Sequence, residues 1–194
     1  MDWLAEMYIT LLPGMAAGVL NMVWCKALRF PAPIDGGRNW CDGRRVFGDN
    51  KTWKGLIGMV VLGCACSAAW GAACAANGYL GQHNYFYQGP FSNTFAYNAG
   101  VGAAIGLAYA VFELPNSFLK RRLAVEPGKP APRAWRILFT CLDQADSVVG
   151  MVFVVSVFHP LSLGYFWAYV AVGSATHAVL NVLLFLAGLR RQPL

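Results

Sequence analysis

Charge is scarce in this chain and unevenly spread. Asp, Glu, Lys and Arg make up 12% of the 194 residues, about half of what a soluble domain carries. Hydrophobic residues reach 57% and the mean hydropathy is +0.46, which excludes an ordinary water-soluble globule as the first reading. Lys and Arg are missing altogether from residues 77–94 and from the turn around His159. Histidine is sparse: His83, His159 and His177 are the whole supply, and all three are expected on or toward one outer side, where they serve structure and leave no base near the motifs below. There is no low-complexity tract and no internal repeat, and no pair among the six cysteines has the spacing of a zinc knuckle.

Long apolar runs are what the chain has instead. A hydrocarbon core about 30 Å thick needs roughly 20 apolar residues per spanning helix. Five windows meet that need, at about Leu4–Trp24, Leu56–Ala76, Phe95–Leu114, Val148–Phe158 and Leu163–Leu189. The fourth spans only if Leu142–Ser147 belong to it, which brings Asp143 and Asp146 into its first turns. The first opens on Asp2 and Glu6 and exceeds the 7 to 15 apolar residues of a signal peptide, so a retained helix is expected. Gly100, Gly102 and Gly106 suit close helix packing in lipid. The predicted fold class is an all-α integral membrane protein of about five transmembrane helices, with residues 1–194 forming a single transmembrane domain.

The basic residues predict its orientation. All fifteen fall in three places: Lys26, Arg29, Arg38, Arg44, Arg45, Lys51 and Lys54; then Lys120, Arg121, Arg122, Lys129, Arg133 and Arg136; then Arg190 and Arg191. Short cytoplasmic loops accumulate Lys and Arg, so the N-terminus is expected outside and the C-terminus in the cytoplasm. The cysteines at 25, 41, 64, 66, 74 and 141 then lie in helices or on the reducing side, where they act as small apolar residues.

Two cytoplasmic loops, 25–55 and 115–142, are expected to carry the active site, because their basic residues are interleaved with Gly, Asp and Thr. The first contains FGDNKTWKG from Phe47 to Gly55. Gly48 and Gly55 permit close backbone approach to a ligand, and Lys51, Thr52 and Lys54 offer donors to phosphate oxygens. The plain alternative is a solvated loop held near anionic headgroups. The second opens with ELPNSFLKRR, Glu113 to Arg122. Glu113, Ser117 and Arg121 are spaced four apart and share a helical face beside Lys120, although snorkelling side chains at a helix end would look similar.

LDQADSVVG, Leu142 to Gly150, places Asp143 and Asp146 on one helical face at the membrane boundary. Two carboxylates there repel and are costly to desolvate, so a cation must offset them. Lys or Arg from the loops would serve, and so would Mg²⁺, which typically takes one or two carboxylates plus substrate phosphates. Without nucleotide chemistry, the helices and basic loops also fit a lipid or small-solute transporter or scramblase, or a subunit that docks a partner. Neither gives the acidic pair a reason to exist.

In this order, PAPIDGG (31–37) with DGRRVFGDN (42–50) and KTWKG (51–55), SFLKRR (117–122) with EPGKPAP (126–132), and DQADSVVG (143–150) resemble the CDP-archaeol synthase family and, more distantly, the CDP-diacylglycerol synthases. Two features depart from the family pattern. Glu113 stands where the family usually has Asp, and RAWRILFT (133–140) is an additional stretch, expected to form an amphipathic interfacial turn. The resemblance implies a CTP-dependent cytidylyltransferase in the cell membrane that converts an inner-leaflet lipid phosphate to a CDP-lipid plus pyrophosphate, with no nucleic-acid partner. It implies Mg²⁺ on Asp143 and Asp146, with Glu113 as a further ligand, and catalytic roles for Lys51, Lys120, Asp143 and Asp146. Substrate binding would fall to Arg44, Arg45, Asp49, Thr52, Lys54, Ser117, Arg121 and Arg122.

Overall fold

The computed structural model describes residues 2–27 and 32–188; Arg29, Pro31, Leu189, Arg190 and Arg191 lie outside them. The described elements in chain order are α1 (Asp2–Ala27), α2 (Trp53–Ala76), α3 (Gly78–Gln82), a 3₁₀ turn (Tyr85–Tyr87), α4 (Phe95–Arg122), α5 (Arg136–Phe158) and α6 (Leu163–Leu186). All but α3 and the 3₁₀ turn are long and apolar enough to cross a membrane, which gives the five spans expected. Even the 23-residue α5 is roughly 34 Å long at 1.5 Å per residue.

Small hydroxyl residues set where three of the spans begin. Thr52 Oγ1 accepts from Gly55 N at 3.2 Å, Thr94 Oγ1 from Tyr97 N at 3.3 Å, and Ser162 Oγ from Tyr165 N at 3.3 Å. Each satisfies an amide left over at a helix start. α5 has no side-chain cap and starts at Arg136, so most of the 133–140 stretch is the first turn of a span and not a separate interfacial turn. Packing explains the extension: Phe139 is buried with Val125 and Ala131 of the preceding connection. α4 likewise runs on past Leu114, through Pro115, to Arg122.

The helices approach closely where glycine permits. A Cβ on Gly63 of α2 would lie 2.3 Å from the Gly102 carbonyl oxygen, and one on Gly106 would lie 2.2 Å from that of Met59, so α2 and α4 touch backbone to backbone. Gly100 faces open space and takes no part. Met7, Leu11, Ile105, Met151, Val152 and Tyr169 form the core between α1, α4, α5 and α6. At the end of the bundle away from the basic loops, Tyr85 closes the structure. Its amide donates to Thr10 Oγ1 at 3.1 Å, its hydroxyl donates to Glu6 Oε2 at 2.9 Å and meets the Tyr169 hydroxyl, and His159 stacks on its ring at 4.4 Å.

Candidate active site

The loop before α2 folds around one carboxylate. Asp35 accepts from Arg45 Nη2 at 2.7 Å and from the amides of Gly37, Phe47 and Gly48 at 3.1, 3.0 and 2.9 Å. Burial pushes the Asp35 carboxyl up, but Arg45 and the three amides outweigh it and hold the group well below the usual carboxylate range. The second guanidinium arm of Arg45 reaches Asp49 at 2.7 Å. Arg122 at the end of α4 binds Asp42 at 2.6 Å and the Arg44 carbonyl at 3.2 Å, while Arg44 donates to the Arg122 carbonyl. These contacts clasp the loop onto α4. Gly48 has φ +96°, and a Cβ there would lie 2.8 Å from Pro127 Cγ, so its close approach is to the neighbouring connection and not to a ligand.

Beneath the clasp, a cavity of about 390 Å³ opens between α1, α4, α5 and α6. One wall is polar, with Asn50, Lys51, Glu113, Asn116, Lys120 and Arg121 facing Asp143 and Asp146. The other is largely apolar and comes from α1 and α6, among them Met15, Val19, Met22, Leu180 and Leu184. The α4 residues fall at 113, 116, 117 and 120, the spacing of a single helical face.

Charges in the polar wall are paired across elements. Lys51 binds Glu113, and Lys120 binds Asp143. Burial alone pushes the Lys51 ammonium down, yet Glu113, Asp146 and Asp143 surround it and together hold its pKa above the ordinary value. Asn116 Nδ2 donates to Asp143 Oδ1 at 2.7 Å and to Asp146 Oδ2 at 2.8 Å, fixing the acidic pair to a single nitrogen. On this wall Asn116 Oδ1 and the Nε and Nη1 of Arg121, a residue only 8% exposed, are buried without a partner among the described residues. Burying guanidinium nitrogens without acceptors is expensive, and Arg121 lines the cavity.

The donor set suits a hard cation. Asp143, Asp146 and the unpartnered Asn116 Oδ1 are all oxygen ligands, the chemistry Mg²⁺ takes. Among the described residues no three His, Cys, Asp or Glu side chains converge to hold a metal by themselves. A cation here would therefore rely on two carboxylates and on phosphate oxygens.

Of the residues singled out in the sequence, the cavity gathers Lys51, Glu113, Ser117, Lys120, Arg121, Asp143 and Asp146. The Ser117 hydroxyl donates back to the Glu113 carbonyl at 3.0 Å. Arg44, Arg45, Asp49 and Arg122 lie outside the lining, in the clasp. Thr52 caps α2, and Lys54 donates to the Cys25 carbonyl at 2.7 Å. Asn116, Asn50, Tyr109 and His177 line the cavity without having been singled out as site residues. Asn116 was within reach of helical spacing, three residues after Glu113 and four before Lys120. His177 corrects an expectation, since it stands in the cavity wall, with Nδ1 3.2 Å from the Gln144 carbonyl, and not off to an outer side. No local motif marks it, because only the packing of α6 on α5 brings it there.

Known proteins resemble this chain in sequence and fold. A family profile described as CarS-like CDP-archaeol synthase matches residues 3–193. The CDP-archaeol synthase of Aeropyrum pernix is 31% identical over 99% of this chain and 95% of its own length. That of Thermococcus onnurineus is 42% identical, over 51% of this chain and 50% of its own. A solved structure described as an intramembrane enzyme for archaeal membrane lipid biosynthesis superposes with a TM-score of 0.63 at 27% identity, covering 90% of this chain and 92% of that one. Five apolar spans and a match over nearly the whole length leave one assignment: this multi-pass membrane protein belongs to the CDP-archaeol synthase family.

Proposed function

We propose that the chain joins CTP to a lipid phosphate at the cavity between the clasped loops and α4–α6, making a CDP-lipid and pyrophosphate. The family makes it a CTP-dependent nucleotidyltransferase with its lipid substrate in the membrane. The observation that carries the assignment to this cavity is Arg121, a buried guanidinium whose Nε and Nη1 lack partners, set beside Lys51 and Lys120. Three cations at one polar wall match a polyphosphate, and the apolar wall of α1 and α6 matches hydrocarbon chains. A transporter without nucleotide chemistry gives no reason for that buried arginine or for a carboxylate pair fixed by Asn116.

The reaction forms a bond between a lipid phosphate oxygen and the α-phosphorus of CTP, and breaks the α–β phosphoanhydride bond. Lys51, Lys120 and Arg121 bind the triphosphate and offset charge on the departing pyrophosphate. Asp143 and Asp146, with Glu113 nearby on Lys51, would hold Mg²⁺, which when bound polarises phosphoryl oxygens and neutralises their charge. Asn116 keeps the two carboxylates in register. Arg44, Arg45, Asp49 and Arg122 act at one remove, by holding the loop over the cavity, and Thr52 and Lys54 fix the start of α2.

The test is purified protein with labelled nucleotides, Mg²⁺ and a panel of lipid phosphates, scored for pyrophosphate and nucleotide-linked lipid. CTP-dependent, chelator-sensitive product is expected; lipid movement across vesicles without product would favour the transporter. We place the basic face in the cytoplasm. The exposed Cys41 in the clasp loop reports on this directly: an impermeant maleimide should label it in inside-out vesicles and spare it in intact cells.

A further inference from the structure

We propose that the Lys120–Asp143 ion pair is an exchange latch: a divalent cation entering at Asp143 displaces the ammonium, and the freed Lys120 turns to the triphosphate. This rests on the metal and triphosphate roles proposed above. The two carboxylates of the acidic pair are held differently. Asp146 accepts from Asn116 Nδ2 at 2.8 Å and from the Ser147 amide at 2.7 Å, both neutral donors, and joins no ion pair found among the described residues. Asp143 accepts from Asn116 Nδ2 at 2.7 Å and has both of its oxygens against Lys120 Nζ. The same ammonium lies 5.6 Å from the centre of the Phe139 ring, and Asp143 is its anionic partner. Lys51 is likewise occupied, by Glu113. Without a ligand the polar wall neutralises itself through these two pairs. Of the three cations assigned to the triphosphate, Arg121 is the one whose buried nitrogens still lack acceptors among the described residues.

That arrangement sets two demands on one carboxylate. Mg²⁺ sits about 2.0–2.1 Å from a carboxylate oxygen, and an ammonium about 2.8 Å from it. Both Asp143 oxygens face Lys120, so a metal bound there with the ammonium left in place would set like charges side by side in a partly buried site. Lys120 therefore leaves as the cation arrives. Its side chain is only 18% exposed, so the freed charge needs another anion, and a triphosphate against the neighbouring Arg121 supplies one. The exchange holds in the other direction too. Drawing Lys120 away with no metal present would leave the Asp143 charge beside Asp146 without its cation. Metal and nucleotide thus each complete the other's site, and such coupling is reciprocal.

The latch makes an unusual demand of a phosphate-binding lysine, that its loss should help the metal. In detergent, Mn²⁺ binding is read from the electron paramagnetic resonance of the free ion, and CTP binding by equilibrium dialysis with Mg²⁺. Without nucleotide, Lys120→Gln is expected to bind Mn²⁺ about tenfold tighter than wild type, yet with Mg²⁺ present to bind CTP about tenfold more weakly. Lys120→Arg keeps a cation on Asp143 and should keep the weaker Mn²⁺ binding of the wild type. Arg121→Gln removes one positive charge from the same cavity without touching the pair; its CTP binding should weaken while its nucleotide-free Mn²⁺ binding stays close to that of the wild type. In the wild type, reductive methylation of Lys120, read by mass spectrometry, should speed up with Mg²⁺ alone and be suppressed by Mg²⁺ with CTP. Unchanged or weaker Mn²⁺ binding in Lys120→Gln, an equal tightening in Arg121→Gln, or a methylation rate that Mg²⁺ leaves unaltered would overturn the latch. If Lys120→Gln does not fold, the wild-type methylation pattern decides alone. A wild-type protein that binds neither Mn²⁺ nor CTP would instead remove the reading on which the latch rests.

Discussion

The two ends of the helical bundle are held together by different chemistry. Away from the basic loops, α1, the 3₁₀ turn, α4 and α6 are joined mainly by stacked rings and hydrogen bonds of neutral donors: Trp3 on Tyr169 at 5.9 Å, Tyr97 Oη to the Phe86 carbonyl at 2.9 Å, and Tyr87 Oη to Asn98 Oδ1 at 2.8 Å. At the basic end lie all six ion pairs found among the described residues. The buried side-chain atoms without partners show the same asymmetry. Apart from Ser67 Oγ, those found among the described residues belong to Asn116, Arg121, Arg122, Gln144 and Ser147. A closed end with satisfied groups is built for stability, whereas an end that keeps charge buried and partly unmatched is built to receive something charged.

The contrast would break most visibly at the acidic pair. Asp143→Asn and Asp146→Asn are each expected to lower turnover by about 10²–10³-fold, since on the proposed role each would lose a metal contact worth several kcal/mol of charge stabilisation. Melting temperature without ligand should change little in Asp146→Asn and fall in Asp143→Asn, which also strands Lys120, and in both the stabilisation gained on adding Mg²⁺ and CTP should vanish. Full turnover in either variant would take these carboxylates out of the mechanism. Arg121→Gln comes next. Loss of a charge-assisted contact should weaken CTP binding by roughly tenfold to a hundredfold. Because Nε and Nη1 have no partner to lose, the ligand-free protein should melt at the same temperature or higher. A marked drop in melting temperature would mean that Arg121 holds the fold and not the nucleotide.

The closed end was the less legible of the two in the sequence, and the reason is physical. Spans follow from hydropathy because each needs only enough apolar length, which is why five were visible before any packing was known. The candidate site was partly visible because chemistry concentrates unusual residues in short segments, and Lys51, Lys120, Arg121, Asp143 and Asp146 come from three of them. Arg44, Arg45 and Arg122 carry the charge of phosphate ligands yet serve the clasp, Arg45 with Asp49 and Arg122 with Asp42, since charge alone does not say whether an arginine meets a substrate or an aspartate. Asp35, the centre of that clasp, sits in a PAPIDGG segment that carried only a resemblance. His177 and the Glu6–Tyr85–Tyr169 contact depend on which helices touch, which no local motif records, whereas Tyr109, four residues before Glu113, was within reach of helical spacing as Asn116 was.

The closed end is where stability should respond without function. Tyr85→Phe removes a hydroxyl that donates to Glu6 and meets Tyr169, leaving the buried Tyr169 hydroxyl and the half-buried Glu6 carboxylate each short of a partner. A loss of about 1–2 kcal/mol is expected, read as a lower melting temperature in detergent. Burial, with Tyr169 and Glu6 adding to it, pushes the Tyr85 phenol well above its ordinary pKa, so the hydroxyl stays neutral and the effect should be the same at pH 6 and pH 9. KM for CTP and for lipid should not move. A change in either would show that the two ends communicate.

The smallest expected effect is that of pH on the clasp. Asp35 has its folded pKa depressed by Arg45 and the amides of Gly37, Phe47 and Gly48. A depressed carboxylate contributes stability that is fully present above the unfolded value of about 3.9 and is lost as pH falls from there through the folded pKa. Lys51 has its folded pKa raised, so its contribution is complete below an unfolded value of about 10.4 and fades only as pH rises beyond it. Between pH 5 and pH 8 both groups keep one charge state, folded or unfolded, and neither makes stability depend on pH. Hydrogen exchange at the Phe47 and Gly48 amides, corrected for its intrinsic pH dependence, should therefore show constant protection across that interval and a steep loss below about pH 4. In Asp35→Asn, protection should be low at every pH, since the carboxylate that accepts both amides is gone. A wild-type loss already near pH 6 would mean that a group other than Asp35 secures the loop over the cavity.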